Sequence, residues 1–141
     1  GASRGGGKPP ADGPVILEFP SAARDPEETL GIVVVPGNPG IPQFYSLFAK
    51  HLQEEFMAIG DVQASAYVLG YPNFPTAAPR RGPAAPISAE ASRLSTAIDQ
   101  LAARHSKEGL VLVGQSIGAW CVLKHLQHVS QLGGGSGSGS A

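Results

Sequence analysis

Apolar residues along the chain change their spacing several times, and each change marks an element. Leu30 to Val35 (LGIVVV) is a continuous run rich in β-branched residues, the pattern of a strand covered on both faces. From Phe44 to Ile59 the spacing becomes four. Phe44, Phe48, Leu52 and Phe56 align on one helical face, with Lys50, Gln53, Glu54 and Glu55 largely off it, so a covering helix is expected that Gly60 and Asp61 end. Val62 to Leu69 reads as the next strand, with imperfect alternation. Ser88 to His105 returns to helical spacing through Leu94, Ile98 and Leu101, with Ser88 as its cap and Glu90 in its first turn. Leu110 to Val113, opened by Gly109, is another buried-strand run. Ala119 to Val129 continues as a helix, with Trp120, Leu123 and Gln127 on one stripe. Val15 to Phe19 has the length of a short edge strand.

The breaks between these runs set the boundaries. Residues 1–14 are rich in Gly and Pro and bury too little apolar surface to offset the entropy of ordering, so they read as a disordered tail. Pro20 to Thr29 is polar and interrupted by proline, hence a loop. The proline-rich stretch from Tyr71 to Pro86 excludes a regular helix and reads as a long loop, with Tyr71 and Phe74 anchoring it to the surface rather than lining a site. Residues 133–141 have the Gly/Ser composition of a flexible linker. One domain, 15–132, remains between the tails. Its expected core is a parallel sheet with helices on both faces, Leu30 to Val35 being the middle strand.

Composition narrows the class. With 141 residues and 42% apolar content the chain can hold a real core. A formal net charge of −1 and no basic run beyond Arg80 and Arg81 argue against a nucleic-acid footprint. Cys121, the single cysteine, excludes an internal disulfide and favours a reducing compartment. No run has the length of a transmembrane helix, and no signal peptide is visible. Neither a cofactor nor a metal is expected.

Chemistry concentrates at the junction of the last strand and helix. Gly114-Gln115-Ser116-Ile117-Gly118 is GxSxG in the strand-turn-helix setting where a serine is presented on a sharp bend and its neighbouring glycines let backbone pass closely. Ser116 is the expected nucleophile. A second stiff loop, Pro36-Gly37-Asn38-Pro39-Gly40, follows the middle strand at its carboxyl end, the end at which open α/β sheets bind ligands. Acyl transfer needs two main-chain N–H groups aimed where negative charge develops, one after the nucleophile and one from such an earlier loop. Ile117 supplies the first. Pro39 has no N–H to give, so Asn38 is the expected second donor.

A base is harder to find. His125 would sit more than two turns up the helix from Ser116 and point away from it, and His51 and Asp99 are remote on their own helices. His105 reads as a residue capping a helix end or facing solvent. Hydrolases with a nucleophile elbow carry the acid and then the histidine after the serine. The foldable sequence stops at residue 132, 16 residues beyond Ser116, so acid, base and the rest of the sheet are expected in sequence not present here.

Residues 30–130 together resemble the lipid droplet-associated hydrolase family, a branch of the α/β-hydrolase fold. PGNPGIPQFYSLFAKHL and LVLVGQSIGAW carry the resemblance, and their combination is far more specific than either alone. It implies a partial α/β-hydrolase fold, truncated after the elbow helix. It also implies a serine esterase of lipid or sterol esters at a lipid droplet surface or in the cytoplasm, with Ser116 as nucleophile and Asn38 and Ile117 as oxyanion contacts. Two other readings stay open: a catalytically inactive short relative that acts as a binding module, and another α/β-hydrolase class such as a thioesterase or acyltransferase.

Overall fold

The computed structural model describes residues 15–23, 25–37, 40–71 and 86–134. The expected tail at 1–14, most of the proline-rich loop after Tyr71 and the Gly/Ser stretch from 135 lie outside them. Four strands and three α-helices follow in chain order: β1 (Val15–Phe19), β2 (Leu30–Val35), α1 (Ser46–Gly60), β3 (Ala64–Gly70), α2 (Ile87–Arg104), β4 (Leu110–Gly114) and α3 (Ile117–Gly133). The sheet order is β1-β3-β2-β4. β2 runs parallel to both neighbours, with Val33 opposite Tyr67 on one side and Leu112 on the other, while β1 pairs antiparallel with β3. The middle strand is therefore the one its unbroken apolar run predicts.

Both faces of the sheet are covered, as the period of β2 requires. Ile32 and Val34 pack with Ala66, Val68 and, from α1, Ala49, Leu52 and Phe56. Val33 and Val35 face the other way, onto Tyr67, Leu69 and residues of α2 (Leu94, Ile98, Leu101) and α3 (Cys121, Val122). Each fully buried Ile or Val contributes about 1.5–3 kcal/mol by leaving water, so β2 is the energetic centre. This is the layering of a partial α/β-hydrolase fold, with β4 as an edge strand.

The helices turn differently from their sequence pattern. In α1 the packed face is Ala49, Leu52 and Phe56, whereas Phe44 and Phe48 are 69% and 45% exposed. Residues Pro42–Tyr45 form a tighter 3₁₀ turn that shifts Phe44 out of phase, and Phe48 lies about 100° round the helix from Ala49. Gln53, expected on the solvent side, donates from Nε2 to the carbonyls of Phe19, Pro20 and Ala64 and so ties α1 to the sheet. Ser88 is not the cap of α2: the helix already begins at Ile87 after Pro86, whose φ of −57° is ready-made for helix entry. In α3 the packed stripe is Gly118, Cys121, Val122 and His125, and Trp120 and Leu123 face outward. Small side chains won that contest, because they let the helix approach β2 more closely than bulky ones would.

His105 is the C-cap residue of α2 but not a solvent residue, being fully buried. Its Nδ1 lies 2.8 Å from the carbonyl oxygen of Thr29, which can only accept, so Nδ1 carries the proton and Nε2 accepts from the Tyr67 hydroxyl at 2.7 Å. A Cβ on Gly31, at the start of β2, would sit 2.8 Å from the imidazole. Glycine there makes the room that burial of His105 needs, at the end of the sheet opposite the Ser116 bend.

Candidate active site

β2 and β4 end side by side, with Val35 opposite Gly114, and the two loops of interest leave from that edge. The bend after β4 is tight. Ser116 holds φ 54° and ψ −122°, a positive φ that costs a non-glycine residue about 1–3 kcal/mol and persists only where surroundings enforce it. Two glycines do the enforcing. A Cβ on Gly114 would lie 2.6 Å from the Ala119 Cα, and one on Gly118 would lie 2.1 Å from the Val35 carbonyl oxygen and 2.6 Å from that of Pro36. The start of α3 thus lies directly against the end of β2, and Ser116, exposed, occupies the N-cap position with no capping bond from its side chain.

The donors at this helix start can be counted. Gly118 N–H goes to the Gln115 carbonyl at 2.8 Å, and the N–H groups of Ala119 and Trp120 go to the Ser116 carbonyl at 3.0 and 3.4 Å. Ile117 N–H, the first of the helix, has no backbone acceptor among the described residues. It stands next to the serine with the positive end of the helix behind it, the arrangement that favours a developing anion.

The loop after β2 reaches the same point. Gly37 passes so close that a Cβ on it would be 3.0 Å from the Ser116 Cβ. Its N–H donates to the Tyr45 hydroxyl at 3.2 Å, and that hydroxyl in turn donates to Gln115 Oε1. Tyr45 therefore fastens the loop to the residue preceding Ser116. The expected second donor, Asn38, lies outside the described residues, as does Pro39.

Tyr71 departs from its expected role on the surface. It is 4% exposed, not a surface anchor. Its hydroxyl donates to the Pro36 carbonyl at 2.8 Å, and its ring lies beneath Gly40, where φ is 71° and a Cβ would meet the ring at 2.4 Å. Both ends of the loop thus rest on one phenol. Burial pushes the Tyr71 phenol well above its usual range and raises the neighbouring Cys121 thiol from its ordinary 9.0. Cys121 therefore stays a neutral thiol at neutral pH.

No histidine hydrogen-bonds to the Ser116 hydroxyl among the described residues. His51 pairs with Glu54 on the exposed side of α1, His105 is engaged by Thr29 and Tyr67, and His125 is buried between α2 and α3 against Ser95. Asp99 lies near His125 and not near the bend. Among the described residues no cluster of three His, Cys, Asp or Glu side chains is placed to hold a metal ion, and no helix is long and apolar enough to cross a membrane. A family model described as lipid-droplet associated hydrolase matches residues 28–133. No curated protein and no solved structure matches the chain.

Proposed function

Because the chain belongs to the lipid-droplet associated hydrolase family, we propose that it is the nucleophile-bearing part of a serine hydrolase. It would cleave carboxylic esters of lipids or sterols in lipid storage, at a droplet surface or in the surrounding cytoplasm. Ser116 Oγ attacks the ester carbonyl. The resulting oxyanion is received by Ile117 N–H and by the N–H of Asn38 from the loop that Tyr45 and Tyr71 hold in place. An alcohol without a base keeps its ordinary acidity and attacks slowly. We assign the histidine and carboxylate to parts of the polypeptide other than the described residues, meeting Ser116 at the carboxyl edge of the sheet.

The observation that carries this reading is the positive φ of Ser116, enforced by Gly114 and Gly118 beside Gly37. Strain of this kind presents a hydroxyl and a helix-start amide, one without a backbone acceptor among the described residues, to one point. The test is hydrolysis of triacylglycerol and sterol ester emulsions by the polypeptide carrying this domain. Ser116→Ala is expected to lower the rate by roughly 10³-fold or more, and equal rates would refute the assignment. A second reading, an inactive relative serving as a binding module, draws on the finding that no histidine among the described residues bonds to Ser116. It predicts emulsion binding without hydrolysis in either form.

A further inference from the structure

A hydroxyl, an imidazole and a carboxylate come together away from the bend, between α2 and α3. Ser95 Oγ is 2.8 Å from His125 Nδ1, and His125 Nε2 is 3.9 Å from Asp99 Oδ1. His125 stands nine residues after Ser116, about 13 Å farther along α3. The group borders a cavity of about 600 Å³ that Trp120, Lys124 and His128 also line.

Three features separate this arrangement from an ordinary helix contact. Ser92 and Thr96, on the same flank of α2, donate their hydroxyl protons to the carbonyls one turn back, whereas Ser95 turns to the imidazole. The Asp99 carboxylate, 3.9 Å from Nε2 and beyond hydrogen-bond reach, acts on the ring through its charge and favours the Nε2–H tautomer, in which the Nδ1 lone pair accepts from Ser95. Burial lowers the His125 pKa, with Asp99 opposing and His128 assisting, so the ring is an uncharged base at neutral pH. A hydroxyl within hydrogen-bond reach of a base that a third group orients is the general signature of an activated nucleophile.

We propose that Ser95 is an acyl-acceptor serine, activated by His125 and Asp99, that takes acyl groups from activated carboxylic esters entering the α2–α3 cavity. The Ser95 oxygen forms a bond to the acyl carbon while the bond to the leaving oxygen breaks. The Ser95 proton passes to His125 Nδ1 and then to the departing oxyanion, and Asp99 stabilises the transient imidazolium. In the interior of α2 the backbone N–H groups are consumed by helix bonds, so the described residues form no two-amide oxyanion hole there, and Lys124 is the lysine among them that lines the cavity. That limits the donors to esters with good leaving groups, such as aryl esters, and distinguishes this serine from one attacking alkyl esters.

Trypsin places the two serines on separate peptides, 94–104 and 108–124, and the first contains no lysine to confuse acylation. After exposure of the protein to p-nitrophenyl acetate near neutral pH, peptide 94–104 is expected to carry acetyl in the wild type and in Ser116→Ala, and not in Ser95→Ala. His125→Gln should slow that acetylation by roughly 10²-fold. Asp99 is exposed, so Asp99→Asn keeps the fold and should slow it several-fold, deciding the matter if His125→Gln does not fold. Peptide 94–104 left unmodified in the wild type, acetyl persisting there in Ser95→Ala, or an unchanged rate in Asp99→Asn would overturn the proposal. None of these outcomes depends on Ser116.

Discussion

The Cα of Gly118 faces the carbonyl oxygen of Val35 so closely that a Cβ would come within 2.1 Å of it. Backbone on both sides leaves nothing soft to yield. Gly118→Ala is expected to cost about 3 kcal/mol or prevent folding. Gly133→Ala, at the far end of the same helix with open space around it, should be neutral or stabilise by up to about 1 kcal/mol. Urea unfolding of the two variants checks the contrast.

The Tyr71 hydroxyl donates to the Pro36 carbonyl and lies beside the Cys121 thiol, and its ring fills the space under Gly40. Tyr71→Phe keeps the ring and removes the donor, leaving a buried carbonyl short of a partner, so a loss of about 1–2 kcal/mol is expected. The loop carrying Asn38 should loosen with it. Hydrogen exchange at the Gly37 amide, faster in Tyr71→Phe than in the wild type, is the readout.

The alkaline limb of stability follows from the same burial. Tyr71 and Cys121 both have folded pKa values raised above the unfolded ones, so the unfolded chain loses these protons first as pH rises. Their contribution is complete below the ordinary thiol value of 9.0 and is lost progressively above it, then further above the ordinary phenol value of 10.0. Melting temperatures should fall above pH 9 in the wild type. Cys121→Ala together with Tyr71→Phe should flatten that slope.

His125 acts on the acid side. Its folded pKa is depressed chiefly by burial, so the unfolded chain binds the proton more readily as pH falls below the ordinary 6.5. Stability is expected to decline from there toward the depressed value. Thermal scans between pH 7 and 5 should show the decline in the wild type, and a shallower one in His125→Gln if that variant folds.

Much of this arrangement was legible from residue order. β2 announced itself as the middle strand because a strand buried on both faces has no polar alternation to maintain. Gly114-Gln115-Ser116-Ile117-Gly118 indicated the bend because a close backbone approach tolerates only glycine. The hidden parts depend on distance along the chain. Tyr71 reaches Pro36 from 35 residues away, and Ser95 meets His125 across 30. Neither pairing leaves a local pattern. The facing of α3 is hidden for another reason, since Trp120 and Leu123 look like core residues until Gly118 and Cys121 let the opposite side approach β2. Gln53 likewise reads as solvated, because a long polar side chain gives no sign of the strand-end carbonyls it meets.

The central claim is that the Ser116 hydroxyl is presented for attack at the start of α3. Reaction of the polypeptide carrying this domain with a fluorophosphonate, followed by sequencing of tryptic peptide 108–124, tests it most directly. The account predicts phosphonylation at Ser116 and an unmarked peptide in Ser116→Ala. A wild-type peptide without the adduct, or an adduct that survives the loss of Ser116, would contradict it.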